Sequence, residues 1–184
     1  MTTCIALLRG INVGGHHKLP MASLRALLEG HGCTGVRTYI QSGNAVFRSR
    51  HKASWVAKQL MAAVGTRHGF EPRTLVLTLG ELEQAAAGNP FPEADGHPHT
   101  LHLFFLADTP ARPDLASLDA IRTRTERFVL TPRVFYLHTP DGFGTSKLAA
   151  RVERALGVEA TARNWRTVQT LLDFARSAEG AAAT

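Results

Sequence analysis

The chain has few cysteines and lacks the features of membrane and secreted proteins. Its two cysteines, Cys4 and Cys33, have neither the CxxC spacing of a zinc or redox site nor the number that a disulfide framework needs. Apolar residues nowhere form the run of ~20 that crosses a bilayer. The N-terminus resembles a strand rather than a basic, apolar, cleavable leader. We therefore expect a cytoplasmic protein with two free thiols and no membrane partner.

Motifs for catalysis and metal binding are also missing. The sequence contains no GxSxG elbow, no cysteine followed by a histidine motif and no paired carboxylates. His97, His99 and His102 span a proline-bearing loop and a strand, without a second group of ligands, so we predict no metal and no cofactor. Catalytic groups often assemble from distant parts of a chain, which leaves open whether the protein is an enzyme.

Lysine is scarce, although the chain is basic. Of its 21 lysine and arginine residues only four are lysine, and the formal net charge is +6. A basic protein suits nucleic acid or another acidic partner. Arginine accompanied by abundant alanine and glycine is also what a GC-rich genome produces. The charge therefore leaves both explanations open.

The apolar pattern of the first half predicts a ferredoxin-like unit. Pro20 suits a first helical turn, and Ser42-Gly43 suits a hairpin turn. The predicted elements are strand 5–9, helix 20–29, strands 36–41 and 44–48, helix 53–67 and strand 75–79. This β-α-β-β-α-β order places two helices on one face of a four-stranded antiparallel sheet.

The second half repeats that order with different residues. Thr78 and Glu81 predict a capping box for a short helix to Ala87, followed by a proline-rich linker. Further predicted elements are strand 101–106, helix 113–121, strands 127–130 and 133–138, helix 146–156, weak strand 158–162 and helix 167–176, with a frayed tail after Ser177. We predict an α+β fold of two ferredoxin-like subdomains related by duplication, residues 1–79 and 100–184, joined by 80–99.

Four segments together resemble one bacterial family. They are Ala6–Pro20, Val36-Arg-Thr-Tyr-Ile-Gln-Ser-Gly-Asn44, Gly142-Phe-Gly-Thr-Ser-Lys-Leu148 and Thr161-Ala-Arg-Asn-Trp-Arg-Thr-Val168. They are similar to the domain of unknown function 1697, including its Asn-Pro-Phe-Pro linker. The resemblance implies a two-subdomain α+β fold, and it implies no reaction, cofactor or catalytic residue. His16 and His17 stand where members of the family more often have lysine or asparagine.

The first segment is a candidate anion site. It is a strand followed by a loop rich in glycine and basic residues: Arg9, Gly10, Asn12, Gly14, Gly15 and Lys18. Such a loop ahead of a helix favours phosphate or carboxylate, although it matches neither the Walker A pattern nor GxGxxG. Alternatively, the glycines serve only the backbone geometry of a wide turn.

The other segments supply further candidates. Ser146 and Lys147 lie at a second junction of loop and helix, where Thr145 or Ser146 is a plausible N-cap. Arg163, Asn164 and Arg166 flank Trp165, which suits phosphate binding with base stacking, or an indole that anchors the last helix. Gln41 and Asn44 either complete the hairpin turn or reach a ligand.

Three functions remain open. The first is binding of a phosphorylated ligand or nucleic acid through these loops. The second is an enzyme acting on a small anionic substrate in a cleft between the subdomains, with His17, Lys18 and Lys147 stabilising charge or moving protons. The third is a structural or interaction protein without a ligand. Base stacking on the sheet, as in RNA-recognition motifs, is disfavoured because the two central strands offer only Phe47.

Overall fold

The first half of the chain folds into the predicted antiparallel sheet with two helices. The computed structural model describes residues 1–181. In chain order the elements are β1 (Thr2–Arg9), α1 (Met21–Gly30), β2 (Thr34–Tyr39), β3 (Asn44–Ser49), α2 (Ala53–His68) and β4 (Arg73–Thr78). The strands are arranged β2-β3-β1-β4, with every neighbouring pair antiparallel. This is the ferredoxin-like order that the sequence predicts.

The second half repeats this topology. After α3 (Leu79–Ala87) and a 3-10 turn (Pro92–Asp95) come β5 (Leu101–Leu106), α4 (Leu115–Ile121), β6 (Arg127–Leu130), β7 (Val134–His138), α5 (Val152–Leu156), β8 (Ala160–Asn164) and α6 (Trp165–Gly180). The strand order β6-β7-β5-β8 matches that of the first sheet. The α+β fold, its duplicated layout and the C-terminal helix are therefore confirmed.

Two units make up the chain. The first consists of Met1–Gln84 together with the residues from Thr170 onward, and the second is Ala85–Gln169. Helix α6 thus begins in the second unit and ends in the first. In the described part of the chain, no helix combines the length and apolar character that crossing a bilayer requires.

The central strand of the first sheet is buried on both faces. Cys4, Ala6 and Leu8 belong to the core that includes residues of α1 and α2. Ile5 and Leu7 point to the opposite face, and both have 0% exposure. Burial also raises the pKa of the Cys4 thiol, to about 11. Since neither face of β1 meets solvent, the centre of this sheet is not an open stacking platform for bases.

Two helix starts, those of α3 and α5, can be compared with the sequence prediction. The capping box forms, because the Thr78 amide donates to the Glu81 carboxylate (2.8 Å) and the Glu81 amide donates to the Thr78 hydroxyl (3.2 Å). The predicted helix 146–156 is wrong in its first half: residues 149–151 form a 3-10 turn, and α5 starts at Val152. The Ser146 hydroxyl accepts from the Ala149 amide at 3.0 Å, the bond expected of the predicted N-cap, but the turn that follows is 3-10 rather than α.

The last helix is longer than predicted at both ends. It covers Trp165–Gly180. Its start lies at Trp165 because the Asn164 side chain caps the helix by accepting from the Thr167 amide at 2.9 Å. The prediction of a frayed tail after Ser177 is wrong for the residues up to Gly180, which are helical. The same prediction for residues 182–184 lies outside the described part of the chain.

Candidate functional site

The tip of the glycine-rich loop is a two-residue hairpin. Val13 and His16 form an isolated bridge, and the His16 amide donates to the Val13 carbonyl at 3.0 Å. Gly14 and Gly15 both have positive φ, +58° and +79°. A type I′ turn needs positive φ at both central positions, which glycine adopts without strain. These two glycines are therefore explained by the turn itself.

Asn12 joins this loop to the turn between β2 and β3. Its side-chain oxygen accepts from the Leu19 amide at 2.8 Å, and its side-chain nitrogen donates to the carbonyls of Leu19 (2.9 Å) and Gln41 (2.8 Å). Leu19 is fully buried, so its amide and carbonyl need partners that water does not supply. Asn12 is thus a cross-link between two motifs that the sequence showed only as separate candidates.

Backbone strain concentrates in the same two loops. Within residues 1–181, the non-glycine residues with positive φ are Asn12 (+55°), His17 (+49°) and Ile40 (+47°). Asparagine tolerates this region, whereas the β-branched Ile40 is strained there by about 1–3 kcal/mol. Strained backbone of this kind is found disproportionately at binding and catalytic sites. The two loops are therefore the first candidates for function.

Most residues of these two loops are exposed, and none is acidic. We call residues 12–18 and 40–43 the loop surface; neither segment contains aspartate or glutamate. Val13 is 67% and Ile40 51% exposed, and Lys18 is exposed as well. In the described chain the amides of Gly14 and Gly15 meet no acceptor, whereas those of Asn12, His16 and Leu19 are bonded within the loop. The surface thus presents two amide donors and a cationic side chain to solvent.

Other predicted residues near the loop surface have roles in the fold. Asn44 is fully buried, and its side chain donates to the Tyr39 carbonyl (3.1 Å) and the Ser42 hydroxyl (3.0 Å), which holds the hairpin turn. The Nδ1 atom of His17 lies 3.0 Å from the carbonyl oxygen of Gly10. The His17 ring also stacks on the Phe70 ring, with the two centroids 4.7 Å apart.

Arg9 is the last residue of β1. It lies opposite Arg73 in the register of β1 and β4, which brings two arginines together at this end of the sheet. Both residues are exposed, and both take part in interactions with other residues of the protein.

The second glycine loop lies in the second unit and forms a cleft of mixed charge. Ser146 and Lys147 line a cleft of about 240 Å³ together with Glu126 and Asp141. The Glu126 carboxylate accepts from the Thr123 amide at 2.8 Å, and the Asp141 carboxylate accepts from Thr125. Two carboxylates repel an anion, so this cleft is a poorer phosphate site than its lysine and hydroxyls indicate.

The fourth segment is mainly structural. Trp165 is 6% exposed, and its indole donates to Asp95 at 2.7 Å, as expected of an anchor for the last helix. Arg163 donates to the Ala162 carbonyl at 2.8 Å, and burial lowers its pKa to about 10. Asn164 is used as the cap of α6, while Arg166 is exposed. The first two segments thus meet in one unit, and the last two belong to the other.

His102 of the second unit packs against an aromatic ring. His102 stacks on Phe143, with ring centroids 3.6 Å apart, and burial lowers the pKa of its imidazole to about 4. Among residues 1–181, no three histidine, cysteine, aspartate or glutamate side chains are grouped as metal ligands.

Comparison with known proteins identifies the family. Residues 1–136 match the family described as Protein of unknown function (DUF1697), which is well over half of the chain. The chain belongs to this family. No curated protein matches the sequence significantly.

A solved structure has a similar fold. This DUF1697 chain aligns with the conserved bacterial protein SP0830 from Streptococcus pneumoniae at a TM-score of 0.74 and 22% identity, covering 95% of this chain and 98% of that one. At this identity the similarity extends to the fold alone.

Proposed function

We propose that the protein binds a nucleic acid through the loop surface, by contacts with the phosphate backbone. The observation that carries this proposal is the strained and exposed pair of loops cross-linked by Asn12. A loop held by internal hydrogen bonds loses little entropy when a partner binds. This preorganisation supports a role of the loop surface in binding.

The chemistry of the exposed groups favours phosphate. Lys18 provides a cation, and the amides of Gly14 and Gly15 provide donors that a phosphate oxygen can approach closely because glycine has no side chain. No carboxylate in the loop surface competes for these groups.

The shape favours a macromolecule over a small molecule. All residues from Val13 to Lys18 are exposed, so the hairpin projects outward and would cover little of a small ligand. Small-molecule sites are concave and bury most of their ligand. A polyanion, in contrast, is recognised by projecting loops that enter a groove or follow its backbone.

Fluorescence anisotropy with short labelled RNA and DNA, single- and double-stranded, tests this proposal. We expect Lys18→Ala to weaken binding about threefold to tenfold and to reduce the salt slope by about 1 between ~50 and ~200 mM salt. Lys58→Ala is the matched control, because Lys58 is an exposed lysine of α2 outside the loop surface. Absence of binding to every probe, or equal losses in both variants, would overturn the proposal.

A further inference from the structure

A basic groove lies elsewhere on the first unit, between the β2–β3 edge of the sheet and the last part of α6. It has a volume of about 420 Å³. Arg37 and Arg48 line it, together with Phe174 and the hydroxyl-bearing Thr34 and Ser177. In the described part of the chain, no aspartate or glutamate belongs to its lining.

The strand register explains why the two arginines share the groove. Arg37 of β2 lies opposite Val46 of β3, and Arg48 is two residues beyond Val46 on the same face of that strand. Cross-strand partners point to one side of a sheet, so both guanidinium groups face α6.

Phe174 of α6 holds one of these guanidinium groups in place. The Arg37 Cζ atom lies 3.5 Å from the centre of the Phe174 ring, and Tyr39 packs edge-on against the same ring at 5.9 Å. This cation–π contact orients Arg37 without neutralising its charge. The side chain is thus partly ordered before any ligand arrives, which lowers the entropy lost on binding.

Both guanidinium groups retain unused hydrogen-bond donors. Within residues 1–181 Arg37 has no hydrogen-bond acceptor or carboxylate partner. Arg48 donates through Nη2 to the Met1 carbonyl at 3.3 Å, while its Nε is buried without an acceptor. A buried donor without a partner costs about 1–3 kcal/mol, and the remaining guanidinium donors of Arg37 and Arg48 are available to an anion in the groove.

We propose that the groove is a binding site for a small phosphate monoester. Two guanidinium groups supply a charge of about +2, which matches the charge of roughly −1.5 to −2 on a phosphate monoester at pH 7. Their planar donor forks fit the phosphate oxygens. The volume exceeds what a phosphate group alone occupies, so the organic part of the ester lies along Phe174.

One neighbouring carboxylate opposes this site. Thr3 lies opposite Arg48 in the register of β1 and β3, and its hydroxyl donates to Glu179 of α6. Glu179 therefore places a negative charge on the same face of the sheet as Arg48. Its removal is expected to strengthen binding of an anion.

Isothermal titration calorimetry with phenyl phosphate and with inorganic phosphate tests the site. We expect saturable binding of phenyl phosphate, tighter than that of inorganic phosphate, which Arg37→Gln weakens at least about tenfold. Arg48→Gln should have a similar effect, and Glu179→Gln should tighten binding severalfold. Arg50→Gln is the control, because Arg50 is an exposed arginine just beyond β3 and outside the groove.

The outcomes distinguish this site from the loop surface. Lys18→Ala should leave the affinity for phenyl phosphate unchanged. Arg37→Gln should leave the salt dependence of nucleic-acid binding the same as in the wild type. If Arg48→Gln fails to fold, Arg37→Gln still tests the site, because Arg37 is exposed and, within residues 1–181, its guanidinium group is held by Phe174 without a hydrogen bond. Absence of saturable binding, or an equal loss in Arg50→Gln, would refute the groove as a site.

Discussion

Replacing Asn12 by alanine tests the central feature of the loop surface. The substitution removes three hydrogen bonds, two to Leu19 and one to the Gln41 carbonyl. At about 0.5–1.5 kcal/mol each, with about 1 kcal/mol more for alanine at positive φ, we expect a loss of about 3 kcal/mol in the free energy of unfolding of the first unit. This is a large share of the stability of a small domain.

Amide hydrogen exchange measures this loss at the right place. The Leu19 amide is fully buried and bonded to Asn12, so its exchange should accelerate strongly in the variant. Asn12→Gly is the control for backbone strain: it loses the same bonds but adopts the φ of +55° freely, so it should be about 1 kcal/mol milder. Unchanged protection of Leu19 in Asn12→Ala would refute the cross-link.

Three further substitutions test the fold. Gly43→Ala places a Cβ 2.8 Å from two side-chain carbons, at a φ of +82° that alanine disfavours. Urea unfolding should show a loss of about 2–4 kcal/mol in the free energy of unfolding. Gly35→Ala is the control: its φ is +62° but its Cβ meets open space, so the loss should be only ~1 kcal/mol. Thr78→Ala removes the capping hydroxyl of α3 and should cost about 0.5–2 kcal/mol, whereas Thr78→Ser should restore most of it. The pKa of His102 is about 4 in the folded protein and ~6.5 in the unfolded chain. Burial of the neutral imidazole therefore costs no free energy of unfolding above pH ~6.5, and the free energy of unfolding decreases as the pH falls from ~6.5 towards 4. Over this pH range the free energy of unfolding of His102→Gln should fall by about 3 kcal/mol less than that of the wild type. Parallel pH profiles of the two free energies would contradict this prediction.

The sequence predicts the parts of this fold that depend on local signals. The apolar period of β1, the Ser42-Gly43 turn and the Thr78–Glu81 capping box each act within a few residues, and all three form as expected. The predicted start of α5 is too early: the Ser146 hydroxyl accepts from the Ala149 amide as a helix cap would, but residues 149–151 form a 3-10 turn and α5 begins only at Val152.

The candidate sites are less accessible to sequence reasoning. The glycines of the first loop correctly indicated positive φ, but the cross-link from Asn12 to the Gln41 carbonyl joins loops 29 residues apart. The groove requires Arg37 and Phe174, which lie on elements from opposite ends of the chain. No local pattern marks either contact, because each depends on the strand register and on where α6 packs.

The division of α6 between two units has a consequence for how the protein is made on the ribosome. Thr3 is bonded to Glu179, and Arg37 is ordered by Phe174, so strands β1 and β2 gain these partners only after α6 has been translated. A nascent chain can assemble the first sheet and its two helices early, but the face of that sheet that contacts α6 stays without this helix until α6 has been synthesised. Chaperones that recognise exposed apolar strands have their longest opportunity to bind during this interval.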